Sequence, residues 1–152
     1  MPAKRVRKFT YEYPRPALTV DVVLATREPR PRVLLIRRKG EPFAGSWAIP
    51  GGFVEENERL ADAARRELLE ETSLSGVELE QLYTAGDPGR DPRGWTVSVV
   101  YLARVKPDDL KAVAADDAEE VGWFPIDELP ALAFDHAMIL ERALCRVKER
   151  AE

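Results

Sequence analysis

GFVEENERLADAARRELLEETSL, residues 52–74, places Arg66, Glu67, Glu70 and Glu71 close together just after a Pro50-Gly51-Gly52 turn. Positions 67, 70 and 71 are related by i,i+3 and i,i+4, so a helix brings these carboxylates to one side, within reach of one another. Clustered negative charges repel, and a helix tolerates them best when a divalent cation sits among them. Hard ions such as Mg²⁺ take oxygen ligands, usually a few carboxylates with phosphate oxygens completing the shell. The stretch reads as a helix that carries a site for cation and phosphate.

A run of Glu and Arg on a helix is most often a solvated face held by charge pairs. The helical projection argues otherwise here. Leu60, Ala64 and Leu68 form the apolar stripe, with Glu67 and Glu71 on its edge and Glu71 pointing between Leu60 and Ala64. A charge set against a buried stripe is costly unless it is paired or metal-bound. Glu70 is expected further round, near Arg66 and Ala63, on the more exposed side.

Gly52, five residues, Glu58, seven residues, then Arg66-Glu67-Leu68, Leu69 and Glu70-Glu71 resemble the Nudix box almost completely. The chain is identified on this basis as a member of the Nudix hydrolase family. One position departs: Ser73 stands where the family has a glycine, so a side chain would occupy the left-handed residue that ends the helix, at a cost of about 1 kcal/mol. The resemblance implies an α/β fold, an α/β/α sandwich with a mixed central sheet. It also implies metal-assisted water attack on a diphosphate linkage, with Mg²⁺ as cofactor and Mn²⁺ as the alternative. Glu67 and Glu71 would be the principal metal ligands, Glu70 a ligand or a base for the water, and the Gly51 carbonyl a further ligand. Arg66 would pair with Glu58 to hold loop and helix together. An extra acidic residue often lies in a later loop of the family, and within Asp116, Asp117, Glu119 and Glu120 the first choices are Asp117 and Glu119, as metal ligand or general base; the alternative is a solvated acidic turn.

The loop Gly86 to Gly94, the opening Tyr13 to Asp21 and the ending Leu132 to His136 look like the ADP-ribose pyrophosphatase subfamily. That resemblance implies hydrolysis of ADP-ribose to AMP and ribose 5-phosphate. An adenine needs a flat apolar face, for which Phe9, Tyr11, Tyr13 and Phe43 are candidates. Core or subunit-interface packing suits these aromatics equally, which leaves a homodimer open. Arg90 and Arg93 suit phosphate or terminal ribose, or else a loop salt bridge to Asp87 or Asp91. The alternatives are another nucleotide sugar, an oxidised nucleoside triphosphate, or a non-catalytic ADP-ribose-sensing module. The intact glutamates, and a chain ending at Glu152 without a DNA-binding domain, weigh against the sensor.

The remaining sequence fits one domain spanning 1–152, with residues 1–16 as an arm and 52–74 as the box. At 152 residues and 45% apolar, the chain can bury a sizeable core. A net charge of −4 gives no footprint for nucleic acid, although Lys4, Arg5, Arg7 and Lys8 make a local basic arm. No stretch approaches a membrane span. The single cysteine, Cys145, excludes an internal disulfide, makes a reducing cytoplasm the default compartment and is expected to pack in the last helix. Leu18 to Thr26 and Arg32 to Arg38 read as a hairpin, Val77 to Ala85 and Trp95 to Val105 as further strands, and Val121 to Phe124 as a short one. The last helix starts near Asp135, a good N-cap, with Ile139, Leu140, Ala143, Leu144 and Val147 on its apolar face. The only histidine, His136, is assigned a structural role.

Overall fold

β1 (Ala17–Thr26) alternates its side chains between two cores. Val20, Val22 and Leu24 join one cluster and Val23 and Ala25 the other. It is built of β-branched and aliphatic residues because both of its faces are covered. The structure is a computed structural model and describes residues 7–107 and 118–151. After β1 come β2 (Arg32–Arg38), β3 (Trp47–Ala48), β4 (Gly51–Phe53), α1 (Leu60–Thr72), β5 (Glu80–Ala85), β6 (Thr96–Val105), β7 (Ala118–Pro125) and α2 (His136–Ala151).

The sheet is mixed and seven-stranded, in the order β3-β2-β1-β6-β5, with β4 also on β1 and β7 on β2. β1 and β6 run parallel from Ala17↔Thr96 to Thr26↔Val105, whereas β2 turns back on β1 at Ala25↔Val33. One face is covered by α1 through Ala63, Ala64 and Leu68, and the other by α2 through Ile139, Leu140, Ala143 and Val147. This is the α/β/α sandwich.

Several expectations shift. The strand expected from Val77 begins at Glu80, because Val77 and Leu79 pack as coil against the α1 core. The strand expected at Val121 extends from Ala118 to Pro125 through pairing with β2. Ala63, placed near the exposed side from the helical projection, is fully buried. Cys145 is exposed, since the buried positions 139, 140, 143 and 147 turn its side of α2 outward. Ser73 does end α1 in the left-handed region, at φ 64°, donating its N–H to the Leu69 carbonyl. Among the described residues no helix is long and apolar enough to cross a membrane.

Candidate active site

The glycine turn lies against β1, where Val22 N–H donates to the Pro50 carbonyl (2.8 Å) and Asp21 and Val20 pair with Gly51 and Gly52. Both glycines permit contacts that any side chain would block. A Cβ on Gly51 would lie 2.2 Å from the Val20 carbonyl oxygen and 2.5 Å from Asp21 Oδ1, and one on Gly52 would lie 2.4 Å from the Glu67 carboxyl carbon. Turn and helix thus meet backbone to carboxylate. Gly51 N–H donates to Glu71 Oε1 at 2.8 Å.

Arg66 gathers the rest. Its Nε and Nη2 grip Glu58 at 2.8 and 2.9 Å, Nη1 donates to Glu67 Oε1 at 2.8 Å and to Glu70 at 3.3 Å, and Nη2 also reaches the Phe53 carbonyl at 3.0 Å. The bond to Glu58, followed by that to Glu67, raises the Arg66 pKa against the opposing effect of burial, so the guanidinium stays charged. Three carboxylates, Glu58, Glu67 and Glu70, stand around this cation, and Glu71 meets the Gly51 N–H instead. Glu71 is only 5% exposed and the Glu67 side chain 14%, whereas that of Glu70 is 43% exposed.

The cavity beside them has a volume of about 580 Å³. Gly51, Arg66, Glu67 and Glu71 line it, and Glu58 and Glu70 do not. Among the described residues no three His, Cys, Asp or Glu side chains gather as they would around an ion. Arg66 is inserted between Glu58, Glu67 and Glu70, and Gly51 meets Glu71 with its N–H. Asp117 lies outside the described residues, and of Glu119 only the backbone, in β7, is described.

The rest of the lining includes cationic and aromatic groups. Arg90 and Arg93 both line the cavity, each held by a carboxylate. Arg90, 5% exposed in its side chain, donates twice to Asp135 (2.7 and 2.9 Å) rather than to Asp87 or Asp91. Asp135 was expected to cap α2; its carboxylate is instead turned to this guanidinium. Arg93 grips Asp91 at 2.8 and 3.1 Å. Burial pushes the Asp91 carboxyl up, but the bonds from Arg93 outweigh this and hold it below the usual range. The Arg93 guanidinium lies 4.8 Å from the Phe53 ring centroid and 5.2 Å from that of Phe134. Arg38 stands 5.0 Å from the Phe134 ring, whose residue holds a positive φ of 52°.

Of the aromatic candidates, Tyr13 is 72% exposed and outside the lining. Phe43 is also outside it and touches the site through its edge contact with Phe134 at 4.8 Å. Phe9 stacks on Tyr11 in the arm. The rings that line the cavity, Phe53 and Phe134, escaped the sequence reading, as did Asp21 and Arg38. Asp21 did leave a signal, a lone acid inside the apolar run LTVDVVLAT.

Fold and site together define a protein with an acidic helix, a glycine turn at the helix's foot and a basic, aromatic wall facing both. Its family follows from the chain as a whole: a NUDIX domain model matches residues 15–145, and the chain belongs to that family. It is 43% identical, over 91% of its length and 79% of the relative's, to an ADP-ribose pyrophosphatase of Methanocaldococcus jannaschii. An ADPR-responsive transcriptional repressor of Acinetobacter baylyi is 36% identical over 91% of this chain, which spans 57% of that protein. The NUDIX domain of Shewanella oneidensis NrtR, solved with ADP ribose, superposes with a TM-score of 0.80 at 37% identity, covering 89% of this chain and 90% of that one. A MutT/nudix family protein of Enterococcus faecalis reaches a TM-score of 0.83 at 38% identity, covering 93% and 66%.

Proposed function

We propose that this chain hydrolyses the diphosphate linkage of a nucleoside diphosphate derivative, and that its substrate is ADP-ribose, split into AMP and ribose 5-phosphate. The observation that carries the reading is one cavity with two unlike walls, buried carboxylates at Glu67 and Glu71 against Arg90, Arg93, Phe53 and Phe134. The relative from M. jannaschii and the ADP ribose-bound neighbour support the choice of substrate.

The donor chemistry suits a hard divalent ion, Mg²⁺ or Mn²⁺: carboxylates outnumber the guanidinium among them, and two are buried on the cavity wall. Glu67, Glu71 and the Gly51 carbonyl would hold it, with Glu70 as a further ligand or as base for the water. When bound, the ion supplies a water of lowered pKa and neutralises phosphate charge. Arg66 anchors Glu67 and ties the Glu58 loop to α1. Arg93, stacked near the Phe53 and Phe134 rings, offers donors to phosphate or ribose. A candidate base in the Asp117 to Glu119 segment completes the proposal.

The sensor reading has one observation in its favour, the likeness to the ADPR-responsive repressor. A panel of ADP-ribose, other nucleotide sugars and oxidised nucleoside triphosphates, incubated with Mg²⁺ and resolved by product, decides between them. AMP and ribose 5-phosphate from ADP-ribose is the expected result. Tight ADP-ribose binding without turnover makes the chain a sensor, and a faster reaction on another member of the panel reassigns the substrate.

A further inference from the structure

His136 opens α2, is buried at 5% exposure, and plays no part in the reaction as set out above. Its Nδ1 accepts a hydrogen bond from the Ile49 backbone N–H at 3.0 Å. Ile49 is itself buried and precedes Pro50 and Gly51. The segment before α2 runs alongside the segment before the glycine turn: Leu132 bridges Trp47, and Ala133 N–H donates to the Trp47 carbonyl at 2.8 Å. Two residues further along, the imidazole takes the place of the next backbone acceptor. A buried N–H without a partner would cost about 1–3 kcal/mol, so this contact fixes the strand that feeds the turn.

The other side of the ring faces the turn as well. With Nδ1 accepting, the neutral ring carries its proton on Nε2, which stands 3.7 Å from Asp21 Oδ1. Burial keeps the imidazole neutral, against the pull of Asp21 and Asp135. Asp21 is held by a hydrogen bond from Ser98 and packs against the α-carbon of Gly51, where an added Cβ would lie 2.5 Å from its Oδ1. The turn is therefore clamped from two directions, by Asp21 and by His136.

We propose that His136 is a positioning residue that sets the Ile49-Pro50-Gly51 backbone for metal binding through the hydrogen bond at Nδ1. The inference rests on the metal reading above. Outer partners of metal ligands change metal affinity by about 10- to 100-fold when removed, and here the partner acts on a backbone ligand through the chain leading to it.

The test is Mn²⁺ affinity, read from the free-ion EPR signal without substrate. Asn at 136 can put its amide oxygen where Nδ1 stands, whereas Gln reaches toward the Nε2 position and Leu offers no acceptor. His136→Asn is expected to bind Mn²⁺ within about threefold of wild type, and His136→Gln and His136→Leu about tenfold more weakly or worse. If the Leu variant does not fold, the Asn and Gln pair decides. Equal affinities for Asn and Gln, or wild-type affinity in a folded Leu variant, overturn the inference and leave the metal reading intact. Failure of the wild type to bind Mn²⁺ overturns both.

Discussion

The two walls of the cavity are built in different ways. The acidic wall comes from a continuous stretch, Gly51 to Glu71, in which Arg66 binds Glu67, its neighbour, and Glu70, one turn on. The basic wall is assembled from distant segments: Arg90 meets Asp135 across 45 positions, and Arg93 reaches both Phe134, just before α2, and Phe53, which belongs to the acidic stretch itself. A local wall can be altered residue by residue while the sheet stands. The assembled wall shares its contacts with the fold, so damage there registers as stability and substrate fit together.

Removing the most deeply placed carboxylate strains this comparison hardest. Glu71→Gln is expected to lower kcat about a hundredfold or more, the range for losing an electrostatic group at a preorganised site, with an unchanged circular dichroism spectrum. Full activity in the variant, or in excess chelator, would remove the acidic wall from the chemistry. Breaking the other wall at its most buried pair should act differently. Arg90→Leu leaves Asp135 without its partner in a largely buried position and is expected to cost about 3 kcal/mol in urea unfolding. A stability loss in Glu71→Gln as large as that in Arg90→Leu would erase the distinction.

Arg93→Ala sharpens the comparison on substrate. Its guanidinium is 38% exposed in the side chain and lies 4.8 and 5.2 Å from the Phe53 and Phe134 ring centroids, so it is placed to contact ligand while also pairing with the buried Asp91. The variant should lose about tenfold in kcat/KM for ADP-ribose and less for a nucleoside triphosphate, because binding energy from remote groups raises kcat as well as lowering KM. Equal losses would mean that the basic wall does not select the substrate. The smallest effect is expected at the end of α1. Ser73→Gly should raise stability by at most about 1 kcal/mol and leave kcat unchanged, since the serine already holds a left-handed φ beyond the last turn of α1. A marked change in kcat would tie the helix terminus to the acidic wall.

The same division separates what the sequence reveals from what it hides. The burial of Glu71 and the exposure of Glu70 follow from helical projection, and the left-handed Ser73 from its place after the helix. β1 and β2 follow from runs of β-branched and aliphatic residues. The partner of Arg90 does not follow, because two acids nearer in sequence, Asp87 and Asp91, offer equally good local pairs to one arginine or the other. Phe134 is invisible as a lining residue because its direction depends on the chain crossing beside Trp47. Ala63 is buried because the face of α1 that β1 and its neighbours cover is wider than the stripe of Leu60, Ala64 and Leu68. Glu119 falls at the start of β7, a strand set by its pairing with β2 and not by any alternation of its own residues.

The parallel ladder between β1 and β6 carries a consequence for how the molecule comes into being. Its partners, such as Ala17 and Thr96, lie roughly eighty residues apart, so joining them carries a loop-closure cost of about 4 kcal/mol before any contact offsets it. Everything between them, including β2, the glycine turn and α1, belongs to that loop. On a ribosome the centre of the sheet must wait for β6 to emerge, with one long apolar edge of β1 unpaired until then. The acidic helix is synthesised during that wait, before the strand that will finish the sheet is made.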